Sequence, residues 1–316
     1  MSPDTPASTS PHFADRLLRA AERAGSPACV GLDPVLDWLP DDQRTHASTP
    51  ARAIEAFSLR VLDAVAGAIG VVKPQSACFE RYGAEGVAAL GRVIQAARER
   101  ELVVILDAKR GDIGLTAEHY AAATFQTEPG LDADAVTVNA FLGMDTLAPY
   151  LDADWAVSVA PDEPGGARGR GIFVLVRTSN PGSDAIQSQR LDDGRTVAEM
   201  LADETAKLGE SRRGERGYSS VGAVVAATKP QDAAAMRGRM PHQIFLVPGY
   251  GAQGGTAETV RELFHPPQKG EAMPTGAVVT ASRSIIFPLV PEGMDWAGAV
   301  RDAASRFAEE VRGAMG

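Results

Sequence analysis

The sequence predicts an α/β fold, a (β/α)8 TIM barrel built as a single domain with surface-loop insertions. Three observations carry this. Eight short Val/Ile/Leu-rich runs alternate with eight longer stretches of helical spacing. Most of the short runs are almost continuously apolar, as parallel strands covered on both faces must be. Nearly every run also ends in a polar or charged residue, and in a parallel barrel all those ends fall on one rim. Alternation alone does not separate a closed barrel from an open doubly wound sheet, which stands as the second expectation.

Taken along the chain, residues 1–11 form a Pro/Ser/Thr-rich lead with no apolar h-region, read as disordered and not as a secretory signal. A helix over His12–Ala24 is expected to cap the bottom of the barrel, and residues 12–316 form the barrel domain. Strands are expected at Ala28–Asp33, Gly70–Gln75, Leu102–Lys109, Ala135–Asn139, Ile172–Thr178, Val221–Thr228, Gln243–Pro248 and Ala277–Ser282. Between and after them, Arg52–Ala68, Glu85–Arg100, Thr116–Phe125, Asp145–Leu151, Thr196–Leu208, Gln231–Arg239, Thr256–Phe264 and Asp295–Met315 each show an apolar stripe and a charged face. Thr196 with Glu199 three residues on has the form of a capping box, and Thr256 marks another helix start. Asp152–Arg170, part of Gln187–Tyr218 and His265–Pro274 read as surface excursions.

Composition narrows the function. The 316 residues are 44% hydrophobic and 23% charged, which excludes a mostly disordered chain. The net charge of −10 makes a nucleic-acid partner a poor fit but leaves room for a small anion in a local basic pocket. Two cysteines, Cys29 and Cys78, exclude a disulfide scaffold and offer no CxxC pair. No apolar run approaches the roughly 18 residues of a membrane span. A cytoplasmic protein is expected.

The sharpest motif is Leu106-Asp107-Ala108-Lys109-Arg110-Gly111-Asp112. Residues two apart on a strand share a face, so Asp107 and Lys109 are expected to point into the barrel mouth together. Asp112 lies on the following loop, and Lys73 on the neighbouring strand can join them. Carboxylates around Lys109 stabilise its charged form. That suits proton donation better than Schiff-base attack, for which a lysine must be neutral. A lysine set between aspartates also competes with a divalent ion for the same oxygens, so no metal is expected. The five histidines form no ligand-spaced pair. A second motif, Val247-Pro248-Gly249-Tyr250-Gly251-Ala252-Gln253-Gly254-Gly255, contains GxGxxG. Its place after the seventh strand favours a phosphate cradle over a dinucleotide fingerprint, with Arg283 at the end of the eighth strand as a charged contact.

Together these motifs resemble the orotidine 5′-phosphate decarboxylase family, in its longer bacterial form with the signature DAKRGDIG. The likeness runs through Gly31-Leu32-Asp33-Pro34, Val72-Lys73-Pro74-Gln75, Asp107 to Gly114, Asn139-Ala-Phe141, Arg177 to Gly182, Pro248 to Gly255 and Ser282-Arg283-Ser-Ile285. The resemblance implies decarboxylation of orotidine 5′-monophosphate to UMP without cofactor or metal. Lys109 would protonate C6, and Asp107 would hold Lys109 beside the departing carboxylate. Asp112, with Ile113 and Thr116, would reach the partner subunit's site in a homodimer. Lys73 and Asp33 would contact the ribose, Ser179 the pyrimidine amide edge, and Pro248 would line the pocket near the base. Gln253, the N–H groups of Gly254 and Gly255, and Arg283 would hold the 5′-phosphate. Two other readings stand beside this one. A metal-dependent phosphosugar decarboxylase or aldolase on the same scaffold would need an acid where Lys73 stands. A non-catalytic UMP-binding barrel would have no need of the charged cluster.

Overall fold

A computed structural model describes residues 12–127, 130–151, 169–250, 254–267 and 272–315. The expected lead at 1–11, most of the 152–170 excursion, four residues of the 265–274 excursion, and Gly251 and Gln253 lie outside the described residues.

Eight parallel strands close on themselves in sequence order: β1 (Ala28–Leu32), β2 (Val71–Pro74), β3 (Val103–Arg110), β4 (Ala135–Val138), β5 (Gly171–Arg177), β6 (Val221–Val225), β7 (Phe245–Val247) and β8 (Ala277–Ala281). Closure rests on β8 pairing with β1, where Cys29 faces Thr280, and it excludes the open sheet. The helices are α1 (Phe13–Ala24), α2 (Asp41–Thr45), α3 (Pro50–Val65), α4 (Ser76–Glu80), α5 (Gly83–Glu99), α6 (Gly114–Phe125), α7 (Asp184–Gln187), α8 (Val197–Gly209), α9 (Pro230–Arg239), α10 (Ala257–Glu262), α11 (Arg283–Ile286) and α12 (Trp296–Ala314). The capping box at Thr196 and Glu199 is formed, and Thr256 accepts from the Thr259 N–H at the start of α10.

Strand parity divides the core in two. Cys29, Val71, Ile105, Ala135, Phe173, Leu246 and Val278 point inward and pack as one cluster. From the N-terminal end α1 plugs it with Phe13, Leu17 and Leu18, the Phe13 ring meeting Phe173 edge-on at 6.0 Å between centroids. The alternate residues, such as Val30, Val72, Val104 and Val136, pack outward against the helices. The parity that fills the barrel floor also fixes the floor of the site. Two residues beyond Val71, Ile105, Ala135 and Val278 on the same faces come Lys73, Asp107, Thr137 and Thr280.

Three expectations need correction. Asp145–Leu151 is not an α-helix but a 3₁₀ segment over Met144–Tyr150, because Pro149 removes a donor late in a short element. The sixth strand stops at Val225 and not at Thr228, since the Ala226 N–H turns to the carbonyl of Arg177 and that of Ala227 to Pro248. The third strand does not alternate cleanly to its end. Its register against β4 shifts between Leu106 and Arg110, and Lys109 has φ of +46°.

Candidate active site

The strand ends surround a cavity of about 500 Å³ at the C-terminal rim, a volume suited to a small ligand. Its charged wall comes from adjacent strands. Lys73 Nζ donates to Asp107 Oδ2 at 2.8 Å, and Lys109 Nζ donates to Asp107 Oδ1 at 2.5 Å. Lys73 and Asp107 are buried, whereas half of the Lys109 side chain is exposed, so its ammonium is the more accessible of the two to a ligand.

Two further donors complete the carboxylate's shell. Gln75 Nε2 donates to Oδ2 at 3.2 Å and Thr137 Oγ1 to Oδ1 at 3.0 Å. A carboxylate has about four lone-pair directions, and all four of Asp107's are engaged. Asp107 is thus an anchor for two ammonium groups and a poor general base. Sequence reasoning gave no role to Gln75 or Thr137. The parity that turned Ala135 inward was the available signal for Thr137. For Gln75 the same parity was available, since it lies two residues beyond Lys73 and still bridges Asp107 in parallel register.

Burial opposes the charge on Lys73, but the Asp107 and Asp33 carboxylates outweigh it and hold the ammonium above the ordinary lysine range. Burial likewise opposes ionisation of Asp107, and the Lys73 and Lys109 ammonium groups hold its carboxyl well below the ordinary range. The linkage has a definite sign. The depressed Asp107 contributes stability that is complete above its unfolded pKa near 4 and is lost as pH falls through its folded value. The raised Lys73 contributes stability that is complete below about pH 10 and is lost above it. The pair should therefore leave the urea midpoint flat between about pH 5 and 9. Asp107→Asn should be less stable at neutrality, and its midpoint should fall less steeply than the wild type's between about pH 5 and 3. Equal acid slopes in the two proteins would contradict the coupling.

The opposite wall carries neutral and cationic groups. Ser179 and Pro248 line it, as does Arg283 from the first position of α11. Asp33 also lines the cavity, and its Oδ1 is buried with no hydrogen-bond partner in the structure. Gln187 was not anticipated. From α7 it lines the cavity and braces the Ser179 loop, its Oε1 accepting from the Thr178 N–H at 2.9 Å. Behind it Arg177, fully buried, pairs with Asp184 and Asp232. The glycine turn after β7 is tight. A Cβ on Gly255 would lie 2.6 Å from Ala227 Cβ and 2.7 Å from the Gly249 carbonyl. The Gly255 N–H is bonded to that same carbonyl, so this member of the expected phosphate cradle is committed within the turn.

Of the anticipated residues, the cavity gathers Lys73, Asp107, Lys109, Asp33, Ser179, Pro248 and Arg283. Asp112, Ile113 and Thr116 do not line it. Asp112 accepts from the Ile113 N–H at 2.8 Å on the loop beyond β3, and Ile113 is 60% exposed. Gly254 and Gly255 do not line it, and Gln253 lies outside the described residues.

Known proteins share this architecture. The chain is 41% identical over 317 residues to an orotidine 5′-phosphate decarboxylase of Rhodopirellula baltica, covering 95% of this chain and 99% of that one. It is 41% identical over 308 residues to the enzyme of the same name from Deinococcus radiodurans, covering 97% and 99%. The solved structure of Leishmania donovani OMP decarboxylase superposes with a TM-score of 0.69 at 31% identity, over 96% of this chain and 98% of that one. A family model matches residues 27–286. The chain belongs to the orotidine 5′-phosphate decarboxylase / HUMPS family.

Proposed function

We propose that this protein decarboxylates orotidine 5′-monophosphate to UMP and CO₂, in de novo pyrimidine biosynthesis, without metal or organic cofactor. The observation that carries the reading is the Lys73–Asp107–Lys109 array on the wall of a nucleotide-sized cavity that also contains Arg283. When the bond between C6 and the carboxylate breaks, CO₂ departs and the electron pair stays on C6. The Lys109 ammonium gives that carbon a proton, and neutral Lys109 regains one from water. No electron sink is needed if a fixed cation already stands where the negative charge develops, since a preorganised dipole or charge costs no reorganisation during the reaction.

The remaining roles belong to the same proposal. Arg283 takes the 5′-phosphate, whose remote binding energy can offset crowding of the carboxylate against Asp107. The unpartnered Asp33 oxygen suits a ribose hydroxyl, and Ser179 the pyrimidine edge. Gln253 and Gly254 supply further phosphate contacts. The reading includes a cytoplasmic homodimer in which Asp112, Ile113 and Thr116 complete the partner's site. The exposed apolar residues Ile113 and Leu115 at the start of α6, with Phe141 and Leu142 on the loop after β4, support it.

The metal-dependent sister reaction is disfavoured by Lys73 and by the filled shell of Asp107. The decisive assay follows loss of the orotidylate ultraviolet signal with EDTA present. Turnover unchanged by the chelator is expected, whereas activity that disappears and returns with Mg²⁺ would favour the sister enzyme. Tight UMP binding without any CO₂ release would favour a non-catalytic barrel.

A further inference from the structure

Lys109 reaches the cavity from an irregular piece of backbone. Pairing between β3 and β4 passes from Leu106↔Val136 to Arg110↔Val138, so four steps along β3 face two along β4. The surplus is taken up around Ala108 and Lys109, and Lys109 adopts φ of +46°, a conformation that side-chain-bearing residues avoid. Its N–H, displaced from the ladder, must find another acceptor. It finds Thr137 Oγ1 at 3.0 Å, and that same hydroxyl donates to Asp107 Oδ1 at 3.0 Å. Thr137 itself is 1% exposed at the cavity wall. One hydroxyl therefore ties the backbone of the candidate proton donor to the carboxylate that aims its ammonium.

We propose that Thr137 is a positioning residue for proton delivery, holding Lys109 in its left-handed turn and fixing Asp107 at once. The proposal rests on the decarboxylase reading for its kinetic consequence, but not for its structural one. Without the hydroxyl, the Lys109 N–H and one Asp107 lone pair lose their shared partner. The backbone is then free to relax toward the extended region, and the ammonium loses its aim. Lys73 and Gln75 still hold Asp107, and Arg283 still faces the cavity, so substrate affinity is preserved.

The test compares wild type with Thr137→Val, which keeps the shape and removes the hydroxyl, and Thr137→Ser, which keeps the hydroxyl. Thr137→Val is expected to lower kcat about 10- to 100-fold, the scale of a small misplacement of a catalytic group, with KM changed by less than about twofold. Thr137→Ser is expected to stay within about threefold of wild type. Hydrogen exchange at the Lys109 amide gives a readout independent of turnover, with protection lost in Thr137→Val and retained in Thr137→Ser. Wild-type kcat in Thr137→Val overturns the proposal. So does a Thr137→Ser enzyme as slow as Thr137→Val, which would assign the effect to methyl packing, and so does a rise in KM at constant kcat, which would make Thr137 a substrate contact. If Thr137→Val does not unfold cooperatively, Thr137→Ala replaces it in the same comparison with Thr137→Ser. A wild type that binds orotidylate but releases no CO₂ overturns the decarboxylase reading alone. The exchange measurement then decides the positioning claim by itself.

Discussion

Lys109→Ala is expected to lower kcat for CO₂ release by roughly 10⁴-fold and to leave a folded barrel. Two losses combine. Proton donation by a positioned group is worth about 10² to 10⁴ in rate. Removal of the ammonium also leaves Asp107 with a single cationic partner, Lys73, beside a carbon that is becoming negative. Unit charges about 4 Å apart at an effective dielectric near 20 interact by about 4 kcal/mol, some three powers of ten in rate. The two contributions share one side chain and do not simply add, which sets the estimate near the upper end of either alone. Folding should survive because the Lys109 side chain is half exposed and Asp107 keeps Lys73, Gln75 and Thr137 as partners. Initial rates, with circular-dichroism melting as the control, check both halves. A variant within about tenfold of wild type would remove Lys109 from the proton-donor role.

The site was legible to the extent that it obeys strand periodicity. The barrel followed from eight alternations and closed as expected, and Lys73 and Asp107 occupy the interior parity of their strands. The reading of Lys109 was right in outcome and wrong in cause. Two-residue alternation was expected to bring it beside Asp107, but the strand is irregular there, and the two meet because Lys109 takes a left-handed turn. No local propensity announces that turn, which a hydroxyl on the next strand holds in place. Gln187 and Arg177 were hidden for a related reason. Arg177 is the last residue of β5, where a charge is ordinarily solvated, yet it is buried because Asp184 and Asp232 arrive from other elements to neutralise it. Partners supplied by tertiary structure leave no trace in the periodicity of the segment they act on.

Asp112→Ala should cost about 10²-fold or more in kcat although Asp112 does not line the active-site cavity of its own chain, and this separation is what makes the prediction informative. The loop that carries it follows β3, and the next loop follows the adjacent β4. Together with Leu115 at the start of α6 they present Ile113, Phe141 and Leu142 to solvent, with Phe141 86% exposed. An apolar face of this kind beside an acidic residue fits a two-fold contact that delivers the carboxylate to the partner's Lys109. Mixing Lys109→Ala chains with Asp112→Ala chains then has an arithmetic outcome. In each mixed dimer one site combines both defects, and the other combines an intact Lys109 with an intact Asp112. Random pairing of equal amounts makes half the dimers mixed, so about a quarter of the wild-type activity should return. If Asp112 served its own chain's site, every site in the mixture would carry a defect and nothing would return. Subunit exchange must be shown independently, by mass spectrometry of tagged chains. With exchange established, recovery near a quarter and no recovery at all are far enough apart for a single rate measurement to decide between them.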